Sequence, residues 1–256
     1  MDRIHLFEFE DQKWFPAFLR NFATDFLQFG ANKFDMYKGV IPIIEKGLEL
    51  SNSEKINDLA SGGGGGWLKI LEHLKTNHPN VKIILSDLYP NIKSFNHLKV
   101  SDSSISYIEK PIDIINVKFP EDSLQTMFLS FHHFKPGNAK QILQNTVNNK
   151  TVLAIIEAQD RSFQSLLAMF LSPISLWIMT PMIRPFSFIR IIFTYLIPIL
   201  PILVWWDGII SSLRTYSEND LKELISQVDD YESYEWEIGK AKSGQIKNTY
   251  LLAYPK

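Results

Sequence analysis

The chain has 256 residues, enough to bury one substantial core, and its 45% apolar composition is that of a globular protein. A formal net charge of −2 carries no polyelectrolyte signature, which argues against a nucleic-acid partner held by charge. With no cysteine, the sequence excludes disulfides, thiol nucleophiles, cysteine-ligated zinc and iron–sulfur clusters.

Residues 1–50 read as an N-terminal helical cap, because Phe15, Phe18, Leu19, Phe22, Phe26 and Leu27 recur at spacings of three and four. The stretch from Asp2 to Glu8 carries charge where a secretory signal needs an apolar run, so the expectation is a cytoplasmic protein. The pattern then alternates. Lys55–Leu59 is a short strand running into Ser61 and five glycines, and Trp67 to Lys75 is a helix with Leu68, Leu71 and Leu74 on one face. Val81–Leu85 is the continuous apolar run of a buried parallel strand, ending at Ser86-Asp87. Ser106–Ile108, Thr126–Phe131 and Thr151–Ile156 supply three more strands, with a helix over Ala139–Val147. Ser217 with Asp220 opens a helix through Leu221, Leu224 and Ile225 as a capping-box variant. Two strands, Tyr231–Ile238 and Thr249–Tyr254, close the chain around a Gly/Lys-rich loop.

Strands alternating with helices predict an α/β fold: a doubly wound, mostly parallel seven-stranded sheet with a terminal antiparallel hairpin. The sheet domain comprises residues 51–161 and 207–256, interrupted by an apolar helical insertion at 162–206. Ser162–Ile183 and Ile191–Trp206 hold no charged residue, but Pro173, Pro181, Pro198 and Pro201 break them, with Arg184 and Arg190 between. The insertion therefore reads as broken helices forming a lid, with peripheral contact to the inner face of the membrane as its second role.

The glycine loop decides the ligand class. Asp58-Leu59-Ala60-Ser61 and Gly62 to Gly66 lie between a strand and a helix, at the edge where doubly wound sheets bind ligands. No frame places glycines at the first, third and sixth positions of the dinucleotide fingerprint, and no Gly-Lys-Ser/Thr follows for a P-loop. What fits is an acidic residue followed by alternate glycines: Asp58, Gly62, Gly64 and Gly66.

In this form the sequence resembles the class I S-adenosylmethionine-dependent methyltransferases, over roughly Lys55 to Lys256. The resemblance implies S-adenosyl-L-methionine as cofactor, with Asp58, Gly62, Gly64 and Gly66 forming its first motif. It also implies that Asp87, at the end of the second strand, accepts hydrogen bonds from the ribose hydroxyls, and that Asp113 meets the adenine amino group. Trp67 is read as a packing residue. The resemblance places acceptor walls in the N-terminal segment and the insertion, which here are rich in Phe, Trp and Met, so a small apolar or lipid-like acceptor is expected.

Methyl transfer needs few obligatory side chains. The candidate catalytic groups follow the strands at the ligand edge: His132 and His133, one at the site and one packed, and Glu157, which could orient a histidine. The local spacing gives no third ligand for a metal beside the two histidines. Arg161, Asp207 and Arg214 are acceptor-pocket candidates. Their structural alternatives are an Arg161–Glu157 pair and an Asp207–Arg214 pair across a buried turn. Two rival functions remain: a non-catalytic, membrane-associated binding module on the same fold, and a nicotinamide-dependent oxidoreductase, which the glycine spacing opposes. The Asn/Asp-Pro-Pro-aromatic motif of amino-methylating DNA enzymes is absent; Ser130-Phe131-His132-His133 stands in its place.

Overall fold

The computed structural model of the chain describes residues 2–116 and 122–256. Its centre is a seven-stranded sheet built from β1 (Lys55–Leu59), β2 (Lys82–Ser86), β3 (Ile105–Tyr107), β4 (Leu124–Phe128), β5 (Val152–Glu157), β6 (Tyr234–Ser243) and β7 (Ile246–Pro255). The strand order is β3-β2-β1-β4-β5-β7-β6. β1 to β5 are parallel, and β7 enters antiparallel between β5 and β6, with Glu157 opposite Thr249. The expected doubly wound sheet with a terminal hairpin is the fold observed.

Helices cover both faces, as parallel strands buried on two sides require. On one side α2 (Ile41–Leu50), α3 (Trp67–Leu74) and α4 (Ile92–Ser101) bury Ile44, Trp67, Leu71, Phe95 and Leu98 against Ile56, Ile83 and Leu85. On the other, α5 (Pro136–Asn148) and α10 (Glu218–Ile225) bury Leu143, Leu221 and Leu224 against Met127, Leu153 and Leu251. Ser217 and Asp220 form the full capping box at the start of α10.

The insertion folds as α6 (Phe163–Phe170), α7 (Ser172–Met179), α8 (Phe188–Ile191) and a π-turn into α9 (Ile199–Arg214). It docks on α1 (Ala17–Lys33), where Leu176, Met179, Leu200 and Leu203 meet Leu19, Phe22 and Phe26. Inside that contact Arg190 pairs with Asp25 at 2.8 Å, both nearly fully buried.

Several local expectations change. α4 is a helix that the sequence reading leaves out. β4 ends at Phe128, not Phe131, because Leu129 adopts φ 46° and Phe131–His133 turn into a short 3-10 helix. α9 carries the insertion past residue 206 to Arg214. The hairpin strands are longer than expected, so Lys240 and Lys242 lie within β6 and not in a loop. Most of residues 2–16 forms no helix and runs as a strap over the carboxyl edge of the sheet. The Ile4 amide donates to the Leu213 carbonyl at 3.1 Å, and the Trp206 indole donates to the Phe7 carbonyl at 3.1 Å.

Candidate active site

The glycine loop leaves β1 at the carboxyl edge. Asp58 is buried at its base and accepts a 2.8 Å hydrogen bond from the Thr126 hydroxyl on β4. Burial pushes the Asp58 carboxyl up to about 6. Ser61 ties the loop to β2: its hydroxyl donates to the Asp58 carbonyl, and its amide donates to the Ser86 carbonyl at 2.9 Å.

Asp87 stands where β2 ends, directly beside the glycines. Its carboxylate accepts the Gly62 amide and the Tyr89 amide, each at 2.7 Å. Burial raises its pKa, and these two amides oppose the rise. Asp113 is exposed, and its carboxylate closes its own turn by accepting from the Ile115 amide and the Asn116 side chain. The neighbouring Ile112 amide donates to the Asp87 carbonyl at 2.8 Å, which brings the segment against the end of β2.

The loop's glycines answer different demands. A Cβ on Gly64 would lie 2.2 Å from a Leu98 methyl, on Gly63 2.6 Å from the Thr24 carbonyl oxygen, and on Gly66 2.6 Å from the Tyr37 ring. These three are glycine because the protein packs against them. Gly65 has φ 47° and nothing within 4 Å of a Cβ, so its backbone is open to approach from outside. Trp67 is fully buried against Phe128, the packing role expected of it.

The two histidines after β4 are held differently. His132 is buried; its Nδ1 lies 2.9 Å from one Glu157 oxygen, and its backbone amide donates to the other at 3.1 Å. With Nδ1 turned to a carboxylate, the tautomer that donates there leaves the Nε2 lone pair free, and Nε2, itself buried, has no hydrogen-bond partner among the described residues. His133 instead meets Asp11 at 2.8 Å and Glu8 at 3.0 Å through Nδ1. Burial works against its charge, but the Glu8 and Asp11 carboxylates outweigh it and hold His133 well above its ordinary value. His133 is thus a clamped cation, while His132 keeps a free ring nitrogen.

Fixed cations and anions bind the strap to α9. Arg214 reaches Asp11 at 2.6 Å, Glu8 at 3.1 Å and the Leu6 carbonyl. Asp207 accepts the Phe9 and Glu10 amides at 2.8 and 3.1 Å, and burial pushes it up to about 7. Asp207 and Arg214 therefore do not pair with each other; each fastens the strap. Arg161 and Glu157 also have separate partners. Arg161 pairs with Asp220 in a polar recess of about 740 Å³, also lined by Arg3, Asp160, Tyr216 and Lys240, over β5 to β7 and away from the glycine loop.

Glu8 is the residue at this edge that sequence reasoning missed. The fold gathers Glu8, His132 and His133 so that their ligand-capable atoms lie within 4.8 Å of one another, a third donor that local spacing did not offer. All three already have partners: Glu8 and His133 pair with each other and with Arg214 and Asp11, and His132 meets Glu157.

No protein-family model matches the chain, and no curated protein does. Solved structures do share its fold. A candidate O-methyltransferase from Nostoc punctiforme superposes with a TM-score of 0.51 at 13% identity, covering 90% of this chain and 59% of that one. The mitomycin 7-O-methyltransferase matches at 0.50 and 11%, over 84% and 53%, and the pyocyanin biosynthetic protein PhzM at 0.50 and 10%, over 89% and 56%. The chain thus spans between half and three-fifths of the length of these neighbours. Such likeness establishes the class I methyltransferase fold.

Proposed function

We propose that the protein binds S-adenosylmethionine at the glycine loop and transfers its methyl group to a small apolar acceptor. The observation that carries this reading is the contact between Asp87 and the loop. A carboxylate at the end of β2 sits 2.7 Å from the Gly62 amide, with the open backbone of Gly65 two residues on from Gly63. This donor set fits a ribose diol beside a charged amino-acid tail. The bound cofactor would supply an electrophilic methyl group, held by Asp87 and the Gly62–Gly66 backbone.

The chain's own residues do the remaining work. Glu157 fixes the His132 ring through Nδ1, and Nε2 then accepts the proton of an acceptor hydroxyl. The positively charged His133, with Arg214, holds Glu8 and Asp11 and so seats the strap over the edge. Phe7, Phe9 and Phe15 on the strap pack on one another and on Trp206, an aromatic surface that favours flat or lipid-like acceptors. Arg161 belongs to the polar recess, paired with Asp220.

The test is turnover of labelled S-adenosylmethionine against a panel of phenols, quinols and polar acceptors. Methylation of apolar hydroxyl compounds, lost in His132→Asn, supports the reading. Methylation of only highly polar acceptors refutes it.

A further inference from the structure

The insertion is docked to the protein on one side only. Between Phe163 and Ile202 sixteen large hydrophobic side chains are exposed, among them Phe163 (78%), Ile178 (66%), Phe188 (68%) and Leu196 (77%). Together they present roughly 1,500 Å² of exposed side-chain surface, far more than singly scattered surface apolar residues supply. α6 has no buried residue at all, although it carries no charge and holds two phenylalanines, two leucines and a methionine. A largely apolar helix whose Phe163, Leu167 and Phe170 stay exposed calls for an apolar environment from outside the chain.

The charges identify that environment. Residues 162–206 contain no acidic side chain and two arginines. Arg190 is spent on Asp25 in the core, which leaves Arg184, without an ion-pair partner among the described residues, exposed beside Phe186. Lys13 is likewise exposed next to Trp14, which is 69% exposed, on the strap that borders the insertion. Trp177 and Tyr195, joined by a hydrogen bond from the Tyr195 hydroxyl to the Trp177 carbonyl, add amphipathic rings of the kind that sit at headgroup level. An apolar face edged by cations and aromatics fits a bilayer surface.

The helices are also individually short. No single helix among the described residues is long and apolar enough to span; two apolar pairs qualify by length only when joined across bends of 44° and 80°. Bent pairs that enter and leave on one side match a face that dips into one leaflet.

We propose that residues 163–202 dock the protein on an anionic lipid bilayer, with α6 to α8 in the acyl region and Arg184 and Lys13 at the headgroups. Both ends of the insertion are anchored at the candidate active site: α6 begins six residues after Glu157, and α9 runs from exposed Ile199 and Ile202 to Asp207 and Arg214. The docking does not rest on the methyl-transfer reading and is tested apart from it.

The experiment is vesicle flotation of the full chain with phosphatidylcholine alone and with 30–40% phosphatidylglycerol, roughly the range of anionic leaflets. The variants are Phe188→Asp with Leu196→Asp, and Arg184→Glu. Both sets are exposed, so circular dichroism and the thermal midpoint should stay at the wild-type values. Wild type should float with the anionic vesicles, the double variant should lose about tenfold or more of its binding, and Arg184→Glu should lose binding to anionic vesicles only. A wild type that stays with the soluble fraction in both vesicle types overturns the proposal. So does a wild-type dimer that the double variant dissociates while neither binds lipid, since the face would then belong to a second copy. Cofactor binding measured on the double variant in solution reports on the methyltransferase reading separately.

Discussion

Gly64→Ala separates glycines kept for packing from those kept for conformation. At Gly64, φ is +90° and a new Cβ would sit 2.2 Å from Leu98 Cδ1. Leu98 is fully buried against Leu85 and Phe95, so its methyl has nowhere to swing. The backbone costs about 1–2 kcal/mol for an L-residue in that region, and overpacking adds about 1–3 kcal/mol. The expected destabilisation is about 3–4 kcal/mol, or roughly 6–16 °C in thermal midpoint for a chain this size. At Gly65, φ is +47° with nothing within 4 Å, so Gly65→Ala bears only the backbone cost of about 1–2 kcal/mol. Urea denaturation of the two variants, with unchanged m-values, gives the comparison. Equal losses, or a neutral Gly64→Ala, would refute the packing argument.

Three further outcomes follow from the site and the core. Glu157→Gln keeps the shape but removes the carboxylate that fixes His132, and should lower kcat about 100-fold while leaving the cofactor Kd within about twofold; an unchanged kcat would exclude the pair from proton transfer. Arg190→Met leaves Asp25 buried without its partner and should cost about 3–5 kcal/mol, restored in large part by adding Asp25→Asn; a neutral Arg190→Met in urea denaturation would contradict the buried pair. The pH dependence has a defined sign. Asp58 and Asp207 rise from 3.8 to about 6 and about 7 on folding, so their contribution to stability is complete below pH 3.8 and is lost as pH rises through 6 to 7. His133, held above its ordinary 6.5, adds loss in the same direction at higher pH. Each loss accumulates between the unfolded value and the folded one, so stability should fall from about pH 4 to 8, Asp58 alone contributing up to about 3 kcal/mol that is nearly all gone by pH 6.5. A thermal midpoint that rises between pH 5.5 and 8 would contradict the assignments.

The elements whose signals are local could be read from sequence. Asp58 with its glycines, the continuous run of β2, and the Ser217–Asp220 box each announce themselves within ten residues. α4 was hidden because Phe95 and Leu98 alone mark its buried apolar side in a polar segment, although Asn91 caps it by accepting the Ser94 amide. The end of β4 was misjudged because an apolar run continues through Leu129 while the backbone leaves the extended region there. The strap was illegible for a different reason. Its partners lie some 200 residues away, Phe9 with Asp207 and Glu8 with Arg214, and no periodicity records such pairs. Long separation in sequence likewise conceals Glu8 beside the histidines, and the strap's claims on Asp207 and Arg214 keep apart two residues whose sequence proximity suggests a pair.

The central claim is cofactor binding at Asp87 and the glycine loop. Isothermal titration of the purified chain with S-adenosylmethionine and S-adenosylhomocysteine, beside NADH and an Asp87→Ala variant, tests it most directly. The account predicts saturable one-to-one binding of both adenosyl ligands, none of NADH, and a loss of tenfold or more in Asp87→Ala, about 1.4 kcal/mol. No adenosyl binding by a folded wild type, or equal binding by the variant, would contradict it.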